Sequence, residues 1–188
     1  MPASAADKWC SPGGQEVLSF EWEPKAKAEP QLGSVRIKST ASGKNVQVLD
    51  NVERYSEDTP FGTQDLNNDG CPDLVVISSV AAIGNESKTV FLYSPKKKRF
   101  VLNDALSAIG GLEIDPRDKN CVTGSWKGGA ADFYSARHCW SKGKLVLKSE
   151  ASVSPMLRAD GELNCYQHLN TEYRAGKKKT RKDCTGEF

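Results

Sequence analysis

The sequence has few of the residues on which catalysis usually depends. It contains two histidines in 188 residues, His138 and His168, and both lie within patterns typical of strands. No nucleophile elbow occurs, and the Gly-Gly pairs do not lie between a strand and a helix, as phosphate-binding loops do. Carboxylates are numerous, so a secreted carbohydrate-active enzyme with two catalytic carboxylates is an alternative. We expect a protein that is not an enzyme.

Long apolar runs and a large net charge are missing as well. No run approaches the length of a membrane-spanning helix, so we expect no membrane span. The net charge of +2 is too small to indicate nucleic-acid binding by itself. The basic clusters 96–99 and 177–179 are predicted to lie in hairpin turns, and no aromatic residues alternate with them to form a stacking platform. We therefore expect no nucleic-acid partner.

The cysteines lack the C-x-x-C spacing that is typical of zinc sites. Their even number favours three disulfides in an oxidising compartment, with reduced and buried thiols as the alternative. The spacing does not fix the connectivity, but Cys121–Cys139 and Cys165–Cys184 are two natural local pairs, which leaves Cys10–Cys71. The six residues predicted to form disulfides are Cys10, Cys71, Cys121, Cys139, Cys165 and Cys184.

The beginning of the sequence agrees with export. Ala3-Ser4-Ala5 has the A-x-A pattern at which signal peptides end. The charged and apolar regions that should precede this pattern are not in the sequence, so we expect Met1 to stand just upstream of the natural cleavage point. Together with the cysteines, this pattern predicts a protein exported to an oxidising compartment.

Helical periodicity over eleven or more residues is almost absent. Short strand patterns recur between turns, which predicts an all-β, antiparallel, propeller-like or multi-sheet fold in a single domain over residues 1–188. Residues 1–8 are expected to be disordered. One short helix is predicted from Asp104 to Ile109, with Asn103 as its N-cap and Gly110-Gly111 as its stop.

Residues 65–73, which we call the metal loop, have the sequence DLNNDGCPD. Its first half is EF-hand-like, because oxygen-bearing side chains alternate and Gly70 permits a sharp reversal of the backbone. An apolar strand pattern follows where an EF-hand has a helix, and a plain hairpin turn is the alternative. We predict a structural calcium ion held by Asp65, Asn67, Asp69, the carbonyl of Cys71, and Asp73.

The metal loop and its following strand, together with the segments 43–49 and 90–103, resemble a family of periplasmic proteins of Gram-negative bacteria. The resemblance covers about residues 33–148. Studied members are immunity proteins that block lysozyme-like effectors, which bacteria-killing secretion systems deliver into the periplasm. The resemblance implies an incomplete β-propeller with an integrin-type calcium loop, and a protein that binds and occludes the cleft of a peptidoglycan hydrolase. A calcium-dependent, FG-GAP-like adhesive or glycan-binding module is the alternative.

An occluding inhibitor of this kind needs a rigid inserting loop with an aromatic anchor, small residues and polar groups. The stretch 125–135 fits this description best, and Cys121–Cys139 would brace its base. We predict Tyr134 as the anchor and Lys127 facing an acidic cleft. The alternative is that the aromatic side chains are ordinary core residues. The predicted partner-binding residues are Ser125, Trp126, Lys127, Phe133 and Tyr134.

Overall fold

The computed structural model describes residues 8–11, 17–27 and 29–186, and for residues 29 and 30 it describes the backbone alone. The predicted cleavage pattern at residues 3–5 and all but Lys8 of the predicted disordered stretch lie outside the described residues. The elements are β1 (Leu18–Ala26), β2 (Glu29–Ser39), β3 (Asn45–Glu53), β4 (Gly62–Gln64), β5 (Asp73–Val80), β6 (Glu86–Ser94), β7 (Arg99–Leu102), α1 (Asp104–Ser107), β8 (Glu113–Ile114), β9 (Cys121–Gly129), β10 (Asp132–Ser141), β11 (Lys144–Leu157), β12 (Leu163–Arg174) and β13 (Lys177–Thr185).

The strands form three open antiparallel sheets in which consecutive strands are neighbours. The sheets have the orders β1-β2-β3, β4-β5-β6-β7 and β13-β12-β11-β10-β9-β8. The all-β, antiparallel prediction is confirmed, and open sheets of this kind are consistent with an incomplete propeller. In the part of the chain that the structure describes, no helix has both the length and the hydropathy needed to cross a membrane.

The chain divides into two compact units. The first comprises residues 1–80 and 86–108, and the second comprises residues 81–85 and 109–188. Whether the chain behaves as the predicted single domain stays a prediction.

The first unit has an aromatic core. Trp9 is buried, and its ring lies 5.9 Å from that of Phe20 and 5.7 Å from that of Phe100, with edge-to-face geometry in both pairs. Such pairs contribute about 0.5–1.5 kcal/mol each beyond the area that they bury. The indole nitrogen of Trp9 donates to the carbonyl of Pro72 at 2.7 Å, so the N-terminal segment is hydrogen-bonded to the metal loop.

The second unit is built on the six-stranded sheet and has a smaller apolar core. Cys121, Val122, Ala136, Cys139 and Cys165 are among its buried side chains. With few large apolar side chains buried, disulfides and buried ion pairs must supply more of its stability.

The predicted short helix is present, in a shorter form than expected. The Asn103 N-cap is confirmed, because its side-chain oxygen accepts from the Leu106 amide at 2.9 Å. Helix α1, however, ends at Ser107 rather than at Ile109.

The turn predicted at residues 177–179 is wrong, because these lysines begin β13. The turn lies instead at Ala175-Gly176, where φ is 48° and 77°. Both values are in the left-handed region that a tight hairpin turn requires. Lysine is common on edge strands, where its charge discourages pairing with other chains.

Candidate functional site

In the metal loop, the predicted ligand side chains turn inward toward the loop's own backbone. The carboxylate of Asp65 accepts from the amides of Asp69 at 3.1 Å and Gly70 at 2.9 Å. The side-chain oxygen of Asn67 also accepts from the Asp69 amide, at 3.1 Å. Gly70 has φ +86°, so the sharp reversal predicted from the sequence is present.

Asp73 is the buried carboxylate of the predicted ligand set. Its side chain is 0 % exposed, and its two oxygens accept from the amides of Leu66 and Tyr93, each at 2.9 Å. Burial raises the pKa of Asp73 to about 7, the two amide hydrogen bonds oppose that rise, and the charges of Asp69 and Asp65 add to it.

This donor set fits a hard divalent cation. Carboxylate oxygens keep further lone pairs after accepting one hydrogen bond, and a cation would offset the repulsion that Asp65 and Asp69 exert on the buried Asp73 carboxylate. Asp65, Asn67, Asp69, the Cys71 carbonyl and Asp73 are the residues that would hold it.

A second group of possible ligand atoms is a disulfide rather than a metal site. In the part of the chain that is described, ligand atoms of Asp118, Cys121 and Cys139 lie within 4.8 Å of one another. The two sulfurs are bonded to each other, and a disulfide offers no thiolate to a metal.

The three predicted disulfide pairings are confirmed. Cys10–Cys71 joins the N-terminal segment to the metal loop, and Cys121–Cys139 joins residues that stand directly opposite each other on β9 and β10. Cys165–Cys184 joins β12 and β13. Three disulfides indicate an oxidising compartment outside the cytoplasm.

The predicted partner-binding residues come together on one hairpin, formed by β9 and β10, which we call the aromatic hairpin. Ala130 and Ala131 form its turn, so the expected inserting loop is shorter than predicted and its residues lie mainly in strands. Trp126 stands opposite Tyr134, and Lys127 stands opposite Phe133. Because side chains alternate along a strand, these two pairs project from opposite faces of the sheet, and Ser125 shares the face of Lys127.

The Trp126 and Tyr134 side chains are exposed to 40 % and 42 %, respectively. The Trp126 indole lies against the backbone of Gly110, where a β-carbon would come within 2.5 Å of a ring carbon. A cross-strand aromatic pair on an open sheet face can pack against a partner without first being ordered.

The aromatic hairpin is also held by Asn85, a contact that the sequence did not predict. The Asn85 side chain is buried, and it donates to the Lys127 carbonyl at 2.7 Å and accepts from the Lys127 amide at 2.9 Å. The backbone at Lys127 is thereby fixed in place. No signal in the sequence marks Asn85, because the contact spans 42 residues.

A second set of contacts that sequence reasoning missed surrounds Glu150. The Tyr134 hydroxyl donates to one carboxylate oxygen at 3.1 Å, and the Tyr173 hydroxyl donates to the other at 2.6 Å. Burial and the Glu150 carboxylate raise the pKa of the Tyr134 hydroxyl, and the hydrogen bond to Glu150 raises that of Tyr173. The register of three strands creates this cluster.

No protein-family model matches the sequence, and no curated protein matches it either. A solved structure of a Xanthomonas type IV secretion system related protein does match, with a TM-score of 0.58 and 15 % sequence identity. The match covers 89 % of this chain and 90 % of the other. At this identity, the likeness shows a shared fold.

The most strongly buried charge of the second unit belongs to Asp115, which has a structural role. Its side chain is 0 % exposed, and it accepts from the guanidinium of Arg117 at 3.0 Å and from that of Arg137 at close range. The Arg117 hydrogen bond, more than any other contact, holds the pKa of Asp115 well below its usual range, and Arg137 adds to this effect. Asp115 therefore stays ionised and fastens the segment between β8 and β9 to β10.

Proposed function

We propose that this protein is a periplasmic, secretion-system-associated immunity protein that binds a lysozyme-like peptidoglycan hydrolase and occludes its substrate cleft. It acts as a stoichiometric protein binder and catalyses no reaction. The observation that carries the proposal is the aromatic hairpin, which presents an exposed Trp126–Tyr134 pair above a disulfide-braced base.

Rigidity supports this role. Ordering a flexible side chain on binding opposes association by about 0.5–1.5 kcal/mol. Tyr134 is already hydrogen-bonded to Glu150, Trp126 already lies against Gly110, and Asn85 already fixes the backbone at Lys127. Less ordering is left for the moment of binding, which favours a hairpin that docks as a preformed unit.

Charge also supports the role. Lys127 is exposed near the turn of the aromatic hairpin, and a lysozyme-like cleft carries catalytic carboxylates. A cation at the tip of an occluding element would meet those carboxylates. The small residues Gly128, Gly129, Ala130 and Ala131 around it allow close approach to the walls of a cleft.

Two findings support a periplasmic location for the protein. The disulfides require an oxidising compartment, and the shared fold is that of a type IV secretion system related protein. In this setting calcium is the proposed structural ion of the metal loop, with a dissociation constant of about 10⁻⁴–10⁻³ M, as in extracellular modules.

The proposal is tested by mixing the protein with candidate effector hydrolases of secretion systems at a one-to-one ratio and measuring the remaining peptidoglycan hydrolysis. We expect wild-type protein to abolish the activity of its target. We expect Trp126→Ala/Tyr134→Ala to weaken inhibition by about 30- to 1000-fold, since one buried aromatic anchor contributes about 2–4 kcal/mol and the contributions of neighbouring anchors do not add. Tyr55→Ala is the matched control, because Tyr55 is a 48 % exposed tyrosine in the first unit. Inhibition that is unchanged in the double variant would rule out the aromatic hairpin as the occluding element.

A further inference from the structure

Glu150 lies beneath two tyrosine hydroxyls on one face of the six-stranded sheet. In the strand register, Glu150 stands between Ala136 of β10 and Thr171 of β12, both of which are buried. Tyr134 lies two positions before Ala136, and Tyr173 lies two positions after Thr171, so both tyrosines share the face of Glu150. Their hydroxyls converge on the carboxylate from opposite sides.

The Glu150 carboxylate is held by hydrogen bonds from two neutral hydroxyls. Among the described residues, its side-chain hydrogen bonds come from these hydroxyls, and no lysine or arginine lies within ion-pair distance of it. Burial lowers the pKa of the nearby His138, and the charge of Glu150 opposes that lowering. A carboxylate has about four acceptor positions, so acceptor capacity remains after both hydroxyls have donated. A charge-assisted donor would be the natural occupant, since such hydrogen bonds are about twice as strong as neutral ones.

The surrounding rings suit a cation. Tyr134 is 42 % exposed, and its cross-strand neighbour Trp126 is 40 % exposed. The ammonium of Lys178 lies 5.8 Å from the centre of the Tyr173 ring, which shows a cation at the edge of this cluster. Aromatic faces attract cations through their quadrupoles, and Trp and Tyr are the better rings for this.

We propose that Tyr134, Glu150 and Tyr173 form a recognition site for an arginine side chain presented by a protein partner. The proposal rests on the proposed function in taking that partner to be a protein. An arginine fits better than a lysine, because its planar guanidinium can stack on an exposed ring while its N–H groups reach the open positions of the carboxylate.

The site can be tested without any hydrolase. The probe is Nα-acetyl-arginine amide, and its binding is measured by the changes that it causes in the nuclear magnetic resonance chemical shifts of isotope-labelled protein. Nα-acetyl-citrulline amide serves as the uncharged isostere. With the arginine probe we expect saturable shift changes at Tyr134, Glu150 and Tyr173. The expected dissociation constant is about 1 mM, which corresponds to a binding free energy of about −4 kcal/mol. The citrulline probe should cause no shift changes.

Two glutamate variants complete the test. Glu150→Gln keeps the shape and an acceptor but removes the charge, and we expect it to abolish the arginine-induced shifts. Glu113→Gln, at an exposed glutamate of the same unit, should leave them unchanged. Retention of the shifts in Glu150→Gln, or no shift in the wild type, would overturn the proposal. Shifts with a chito-oligosaccharide but not with the arginine probe would assign the site to glycan instead.

Inhibition assays separate this proposal from the proposed function. If the arginine site contributes to the complex, Glu150→Gln should weaken inhibition by about tenfold or more, as loss of a charged hydrogen-bond partner does. If Glu150→Gln inhibits as well as the wild type, the arginine site is not part of the complex while the inhibitor function stands. If the wild type does not inhibit, the probe experiment still decides the arginine site.

Discussion

Asp73 shows how one buried carboxylate can couple a loop to its neighbouring strands. It ties the Leu66 amide within the metal loop to the Tyr93 amide on β6. The position was predicted as a metal ligand from spacing alone, but its burial and its raised pKa come from packing that the spacing does not contain. The loop therefore contributes to the fold of the first unit.

Asp69 offers the sharpest test of the proposed calcium. Asp69→Asn keeps a side-chain acceptor for the Cys71 amide, which now donates to Asp69 at 2.9 Å, but removes the charge. We expect its stability in chelator to be near that of the wild type, while the stabilisation by calcium is lost. At a calcium concentration of about ten to a hundred times the dissociation constant, the stabilisation that is lost amounts to about 1–3 kcal/mol, or a few degrees in melting temperature.

Glu53→Gln is the control for that experiment, because Glu53 is an exposed carboxylate of the same unit. It should respond to calcium as the wild type does. A wild-type melting temperature that is the same in chelator and in calcium would contradict an exchangeable structural ion. Scanning calorimetry provides the measurement.

Asp115 gives a prediction about pH. Its folded-state pKa lies below the ordinary value of about 3.9, so its contribution to stability is present above that pH and is lost as the pH falls toward the folded-state pKa. Asp115→Asn should lower the free energy of unfolding at pH 7 by about 1–3 kcal/mol, as loss of charged hydrogen bonds does.

The difference in stability between wild type and Asp115→Asn should be constant at neutral pH and shrink below about pH 4. Urea titrations at each pH measure it, and Glu113→Gln, at an exposed carboxylate, is the control. A difference that grows on acidification would mean that the ion pairs with Arg117 and Arg137 are not the source of the effect.

Among the secondary-structure elements, the aromatic hairpin was predicted from the sequence. The residues elsewhere in the second unit that hold it in place were not predicted. The exposed aromatic residues, the glycines and the flanking cysteines are all visible in the sequence, and Cys121 faces Cys139 as expected. Asn85 and Glu150 could not be found, because their contacts depend on which turn and which strand lie beside the hairpin. Only tertiary register supplies that information.

The disulfide at the base of this hairpin should matter for binding as well as for stability. Removing it as Cys121→Ser/Cys139→Ser should lower the free energy of unfolding by about 2–4 kcal/mol and weaken hydrolase inhibition, because the hairpin then has more freedom to lose on binding. The comparison is Cys165→Ser/Cys184→Ser, which removes a bridge between β12 and β13 in the same sheet. This variant should be destabilised similarly and should inhibit like the wild type. Equal loss of inhibition in both variants would contradict a local role for Cys121–Cys139.

For the molecule as a whole, the sequence was sufficient to predict the class of fold. Short alternating segments and turn residues predicted antiparallel sheets, and six cysteines predicted three bridges. The last strand was missed, because its run of lysines is as typical of a turn as of an edge strand. The two compact units had no signal, since no linker of distinct composition separates them.

Titration of the protein into candidate lysozyme-like effectors, with peptidoglycan cleavage as the readout, is the most direct test of whether it is a stoichiometric inhibitor of a peptidoglycan hydrolase. We expect the activity of one effector to fall linearly to zero at an equimolar ratio, in the presence of calcium. Full activity of every effector at that ratio and above it would show that the protein is not such an inhibitor.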